Sequence, residues 1–132
     1  MSTSAKNWAV DHEGALPGGT VGSLKAGPRA LLKELADLEN VTTGDAFPSY
    51  EYLSLRTSMN ERSIQRHMEV LKSVGAVEVG RRKSNGRWLR NVYRLNVPSK
   101  YREKDAAWME ARGGHQPRIE VSPPYEDVWG IR

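Results

Sequence analysis

Residues 60–75 read Asn60-Glu61-Arg62-Ser63-Ile64-Gln65-Arg66-His67-Met68-Glu69-Val70-Leu71-Lys72-Ser73-Val74-Gly75. Asn60 is a favourable N-cap, Ile64, Met68 and Leu71 recur at helical spacing, and Gly75 can supply the left-handed residue that closes a helix. The pattern predicts a helix with one buried stripe. At about 100° per residue the opposite face carries Arg62, Arg66, Glu69 and Ser73, with Ser63 and Gln65 on its flanks near the start. Arginine can grip O6 and N7 of guanine with two hydrogen bonds, glutamine can do the same to adenine, and a helix N-terminus favours phosphate. Such a face suits a major groove. A solvated helix face is the plainer explanation of an isolated pair of arginines, so the flanking segments decide.

Upstream, Gly27-Pro28 opens a helix whose Leu31, Leu32, Leu35 and Leu38 form one apolar stripe to about Asn40. Val41 to Phe47 reads as a loop, and Pro48-Ser49 starts a short helix to about Thr57 with Leu53 inside. Ser58-Met59-Asn60 is then a three-residue turn into the helix already described, the pattern of a helix-turn-helix. Downstream the period changes from helical to alternating. Val77 and Val79, then Trp88, Leu89, Val92, Tyr93 and Leu95, flank the turn signal Asn85-Gly86 and predict a β-hairpin. A strict two-residue turn sets Val79 opposite Val92. A three-residue connection, Asn85-Gly86-Arg87 with a bulge, pairs Val79 with Tyr93 and Val77 with Leu95, and is preferred because it buries both apolar pairs. Arg81, Arg82, Lys83, Arg87 and Arg90 then cluster at the tip with Trp88.

The formal charge of +4 is unevenly spread. Residues 60–104 hold 12 Lys and Arg against 4 Glu, net +8, while the rest holds 8 basic and 12 acidic residues, net −4. A basic excess confined to one helix and the hairpin after it is the footprint of polyanion binding.

With 132 residues, one small domain with tails is expected. Residues 1–26 carry Gly14, Pro17, Gly18, Gly19 and Gly22 without sustained periodicity and are read as an N-terminal arm, with Trp8 folding back on the core. Residues 27–98 form the domain. Residues 99–114 are read as one C-terminal helix, from Pro98-Ser99 to about Arg112, with Tyr101 and Trp108 on a common face. Residues 115–132, with Pro117, Pro123 and Pro124, are expected to lack regular structure. Their Tyr125, Val128, Trp129 and Ile131 make the tail either a peptide for a partner protein, through Tyr125 and Trp129, or a strap over the chain's own core.

Other function classes find little support. Cysteine is absent, which excludes disulfides and thiol chemistry. His12, His67 and His115 are far apart, so neither a metal cluster nor a histidine-based nucleophile is expected, and no enzyme activity or cofactor. Gly18-Gly19-Thr20-Val21-Gly22 lacks the Gly-Lys-Ser/Thr end of a phosphate loop. No run of about 18 apolar residues is present and no signal peptide is recognisable, so a cytoplasmic protein without membrane contact is expected.

Taken together, Leu31, Leu32, Leu35 and Ala36, then Phe47-Pro48-Ser49-Tyr50-Glu51 and Leu53, Asn60 to Arg66, Leu71 with Gly75 to Val79, and Asn91 to Leu95 carry a resemblance. From about Pro28 to Leu95 the chain resembles the winged helix-turn-helix domain of phage replication proteins and plasmid replication initiators, also found in small stand-alone phage and bacterial DNA-binding proteins. The resemblance implies an α+β, mainly helical fold, with three helices plus a β-hairpin wing between the arm and the C-terminal helix and tail. It also implies sequence-specific binding to double-stranded DNA, in replication initiation or transcriptional regulation. On that reading Arg62, Ser63, Gln65 and Arg66 read bases, while Ser49, Lys72, Arg81, Arg82, Lys83, Arg87 and Arg90 meet the backbone or adjacent minor groove. A homodimer on a two-fold symmetric site, or several copies on repeats, is expected. The family's turn usually has Gly where this chain has Ser58. The rival reading is a protein adaptor that recruits a replication or transcription protein through the aromatic tail.

Overall fold

The computed structural model describes residues 2–130; Ile131 lies outside the described residues. The element order is α1 (Thr3–Val10), β1 (Ala15–Leu16), β2 (Gly19–Thr20), a 3-10 turn (Val21–Ser23), α2 (Ala26–Leu38), α3 (Tyr50–Thr57), α4 (Glu61–Ser73), β3 (Val77–Ser84), β4 (Arg87–Leu95), α5 (Ser99–Arg102), α6 (Ala106–Ala111) and β5 (Tyr125–Trp129). Among the described residues no helix is long and apolar enough to cross a membrane.

Trp8 folds back on the core as expected, but the first departure is that the N-terminal segment is a helix rather than an arm without regular structure. Ser2 caps α1 by accepting from the Ala5 N–H, and the buried side of the helix is Ser4, Ala5, Trp8 and Ala9. Those are mostly small residues, so no apolar period announces them. Trp8 is fully buried, and its indole N–H donates to the Ala15 carbonyl at 3.1 Å. Helix α1 packs on α2, whose Leu31, Leu32, Leu35 and Ala36 are buried and which in turn meets α3 and α4.

Helices α3 and α4 follow the expected bounds. Ser49 caps α3 by accepting from the Tyr52 N–H at 3.0 Å, and Asn60 caps α4 by accepting from the Ser63 N–H at 2.8 Å. Ser58, between them, takes the left-handed conformation (φ 59°, ψ 22°) that glycine adopts without cost. Hydroxyls close the turn: Ser54 donates to the Met59 carbonyl, and Thr57 accepts from the Met59 N–H. Helix α4 ends with Gly75 at φ 77°, its N–H donating to the Lys72 carbonyl and that of Ala76 to the Leu71 carbonyl. This is the paired closure of a Schellman motif.

The hairpin pairs Val77 with Leu95 and Val79 with Tyr93, as expected, but the extra residue sits elsewhere. Ser84 pairs with Arg87 across a two-residue Asn85-Gly86 turn, both with positive φ, and the register shifts between Arg81 and Lys83. The bulge therefore falls at Leu89 and Arg90 of β4, not at the tip. Asn-Gly fits a two-residue turn that needs positive φ twice. Displacing the bulge inward sets Arg81 opposite Asn91, where an unbroken register from the tip brings it against Arg90, a like-charge pair.

The C-terminal region departs twice more. Residues 99–114 form two short helices, because Asp105 restarts the helix as N-cap of α6 while also accepting from the Ser4 N–H (2.9 Å) and hydroxyl (2.6 Å). Beside it lies a buried pair: Arg102 donates to both Glu39 oxygens at 2.7 and 2.8 Å. Trp108 is buried, with the Arg102 and Arg112 guanidinium groups each 3.4 Å from its ring centre. The tail is not irregular throughout. Arg118 donates to the Gly44 and Leu95 carbonyls, and residues 125–129 then add an antiparallel strand to β3, giving the order β4-β3-β5.

Candidate nucleic-acid interface

Burial of Ile64, Met68 and Leu71 turns the other face of α4 outward. Arg62, Gln65, Arg66 and Glu69 are exposed, and Ser63 is half-buried. The Ser63 hydroxyl lies 3.5 Å from an Arg66 nitrogen, a contact too long to hold that side chain. Farther along, Glu69 pairs with Lys72 at 3.2 Å, so Lys72 is half-covered at the inner end of the helix. His67 packs over the start of α2: a Cβ on Gly27 would lie 2.4 Å from its ring. Burial holds the His67 imidazole below its ordinary pKa, which favours the neutral form.

The hairpin cations divide between its two faces, because strand side chains alternate. Arg81 shares the face of Val77 and Val79 and lines a crevice with Met68, Glu69 and Lys72 of α4. Lys83 pairs with Trp88, and the Lys83 and Arg81 charges lie 5.3 and 5.5 Å from the Trp88 ring centre. Arg87 is exposed beside the turn. Through Arg81 this face of the hairpin adjoins the Glu69 and Lys72 end of α4, while Lys83 lies farther out and Arg87 turns to the side of Ser84 and Tyr125.

Arg82 points to the other face and is already engaged. Its Nε and Nη2 donate to the two Asp127 oxygens at 2.9 and 3.1 Å, and its guanidinium lies 5.8 Å from the ring centres of both Phe47 and Tyr125. The hydrogen bond to Asp127 holds its pKa above the ordinary value. Arg90, in the bulge, lies 5.3 Å from the Phe47 ring centre. Of the residues expected on a backbone or groove, Arg81 lies against α4 with Lys83 farther out on the same face, Arg87 lies beside the turn on the Arg82 side, Arg82 is withdrawn into an internal ion pair, and Arg90 leans on the loop before α3. Ser49 is exposed, with its oxygen committed to the α3 cap.

The residue that withdraws Arg82 belongs to the tail. Tyr125 and Trp129, the expected partner-binding residues, are both built into β5. Trp129 pairs with Gly80 and lies flat on it, so that a Cβ there would come within 2.7 Å of the indole, and the Arg94 guanidinium sits 3.8 Å from a Trp129 ring centre. The tail is a strap on its own sheet. One signal was legible: an isolated glycine inside a strand marks close approach of another group.

Residues 22–75 match the model of a family described as a helix-turn-helix domain. The match spans α2, α3 and α4 and ends at the glycine that closes α4. It supports a helix-turn-helix DNA-binding domain in this part of the chain. No curated protein and no solved structure matches the chain.

Proposed function

We propose that the protein is a sequence-specific double-stranded DNA-binding protein of the winged-helix type. The N-terminal half of α4 enters the major groove, with Arg62, Ser63, Gln65 and Arg66 at base edges. Hairpin residues Arg81, Lys83 and Arg87 grip phosphates or the neighbouring minor groove. The observation that carries this reading is the exposed Arg62, Gln65 and Arg66 face of α4, inside the region that matches a helix-turn-helix, with Arg81 of the hairpin lining a crevice against Glu69 and Lys72 farther along the same helix. Two copies on a two-fold site, serving phage- or plasmid-type replication initiation or transcriptional control, complete the proposal.

The two groups of cations are assigned different work, and fluorescence anisotropy against salt separates them. Arg66→Ala is expected to cost about 1–3 kcal/mol on a selected duplex and to relax sequence preference. Lys83→Ala is expected to weaken every duplex alike and to lower the salt slope by about one unit. An Arg66→Ala variant with unchanged preference would remove α4 as the reader.

A further inference from the structure

Trp88 is the one tryptophan that the fold leaves uncovered. Trp8 and Trp108 are fully buried and Trp129 is seated on Gly80, whereas Trp88 keeps 43% of its surface exposed and the adjacent Leu89 keeps 39%. From Leu89 the surface continues into a cleft of about 520 Å³ between β4 and the start of α3, walled by Phe47, Tyr50 and Tyr52 with Arg81 and Arg90. The bulge at Leu89 and Arg90 turns the strand at this point, as bulges do where a side chain is re-aimed. Lys83 and Arg81 lie beside the Trp88 ring and Arg90 beside that of Phe47, at 5.3 to 5.5 Å from the ring centres, while Arg56, 5.9 Å from the Tyr52 ring centre, is held by Glu34 and Asp37.

Alternating aromatic faces and cations match a single nucleic-acid strand, whose bases stack while its phosphates pair. An intact duplex hides its base faces and offers nothing to stack on a row of rings. An acidic peptide satisfies the cations but leaves the aromatic faces without matching planes. We propose that the edge formed by Trp88 and Leu89, together with the adjoining cleft, binds a short single-stranded DNA segment continuous with the duplex held by α4. The proposal rests on the duplex-binding reading. It adds a second site with its own ligand: unpaired nucleotides at a junction or opened end.

Anisotropy with three probes tests it: a blunt duplex of about 20 base pairs, and the same duplex carrying about eight thymidines on its 5′ or its 3′ end. One tail polarity is expected to raise affinity by at least about five-fold, in line with stacking of a single base. Trp88→Ala is expected to abolish that gain and Trp88→Phe to keep part of it, the gain being read for each variant as the ratio of its tailed to its blunt affinity. Tyr52→Ala, also at an exposed position, is expected to reduce the gain through the cleft. Equal binding of tailed and blunt probes, or an equal loss on both from Trp88→Ala, overturns the single-strand site while leaving duplex binding in place. Binding of tailed probes with none of the blunt duplex overturns the duplex reading and retains the site.

Discussion

Replacing Gly80 with alanine would test how firmly the C-terminal strand is joined to the hairpin. Gly80 lies mid-strand, and its neighbours explain the glycine: an added Cβ meets Trp129 Cε3 at 2.7 Å, Trp129 Cδ2 at 2.8 Å and the Val128 carbonyl oxygen at 2.8 Å. Each is at least 0.6 Å inside the 3.4 Å limit of ordinary contact. The carbonyl belongs to a paired strand and the indole is held against Arg94, so neither yields by rotating a flexible end. Overpacking of this kind costs about 1–3 kcal/mol, and β5 is the element that can leave, since among the contacts between regular elements its packing is on β3. Gly80→Ala is expected to lower the melting temperature by about 3–10 °C and to speed proteolysis between Arg118 and Tyr125. It is also expected to tighten duplex binding, because departure of β5 frees Arg82 and removes Glu126 and Asp127 from beside Lys83 and Arg82. The salt slope should steepen by up to about one unit. A Gly80→Ala protein with unchanged melting and unchanged cleavage of the tail would refute the seating of Trp129 on Gly80.

Three further substitutions probe the frame that holds the interface. Glu39→Ala strands the buried Arg102 guanidinium and is expected to cost about 3–5 kcal/mol in urea unfolding, whereas Glu39→Leu with Arg102→Met should recover most of it; an Ala variant near neutral would mean the pair is solvated. Ser58→Gly removes the left-handed penalty of about 1–2 kcal/mol against a glycine entropy cost of about 0.5–1 kcal/mol, so a gain of up to about 1.5 kcal/mol in unfolding free energy is expected. For Asp105, burial raises the pKa, but the hydrogen bonds from Ser4, Trp108 and Ser2 outweigh it and the net shift is downward from 3.8. Its stabilisation is therefore present above pH 3.8 and lost as pH falls through the lower folded value. Asp105→Asn should be less stable at neutral pH and lose less between about pH 4 and pH 2, read by tryptophan fluorescence.

The legibility of each element followed from how its residues signal. Asn60, Ile64, Met68, Leu71 and Gly75 each obey a local rule, and the helix they form is bounded where those rules place it. The hairpin register was readable because a one-residue slip exposes Tyr93 and Leu95, while the bulge position was not, because it depends on separating Arg81 from Arg90 and on the geometry of the Asn-Gly turn. Helix α1 buries Ala5, Ala9 and Ser4 beside Trp8, and small residues produce no apolar stripe to read. The break between α5 and α6 comes from Asp105 meeting Ser4, about a hundred positions away. In the interface, Arg62 and Arg66 were visible as a helix face, but the loss of Arg82 to Asp127 required knowing that the acidic tail returns as a strand.

Selection of binding sites from random duplex DNA by the purified protein, at low and at near-physiological salt, decides whether α4 reads base sequence. A recovered motif, repeated as two half-sites and lost in Arg66→Ala, is the expected result. Salt-sensitive binding without any motif would reduce the interface to phosphate contact and contradict base reading by α4, and no binding at either salt would contradict duplex recognition altogether.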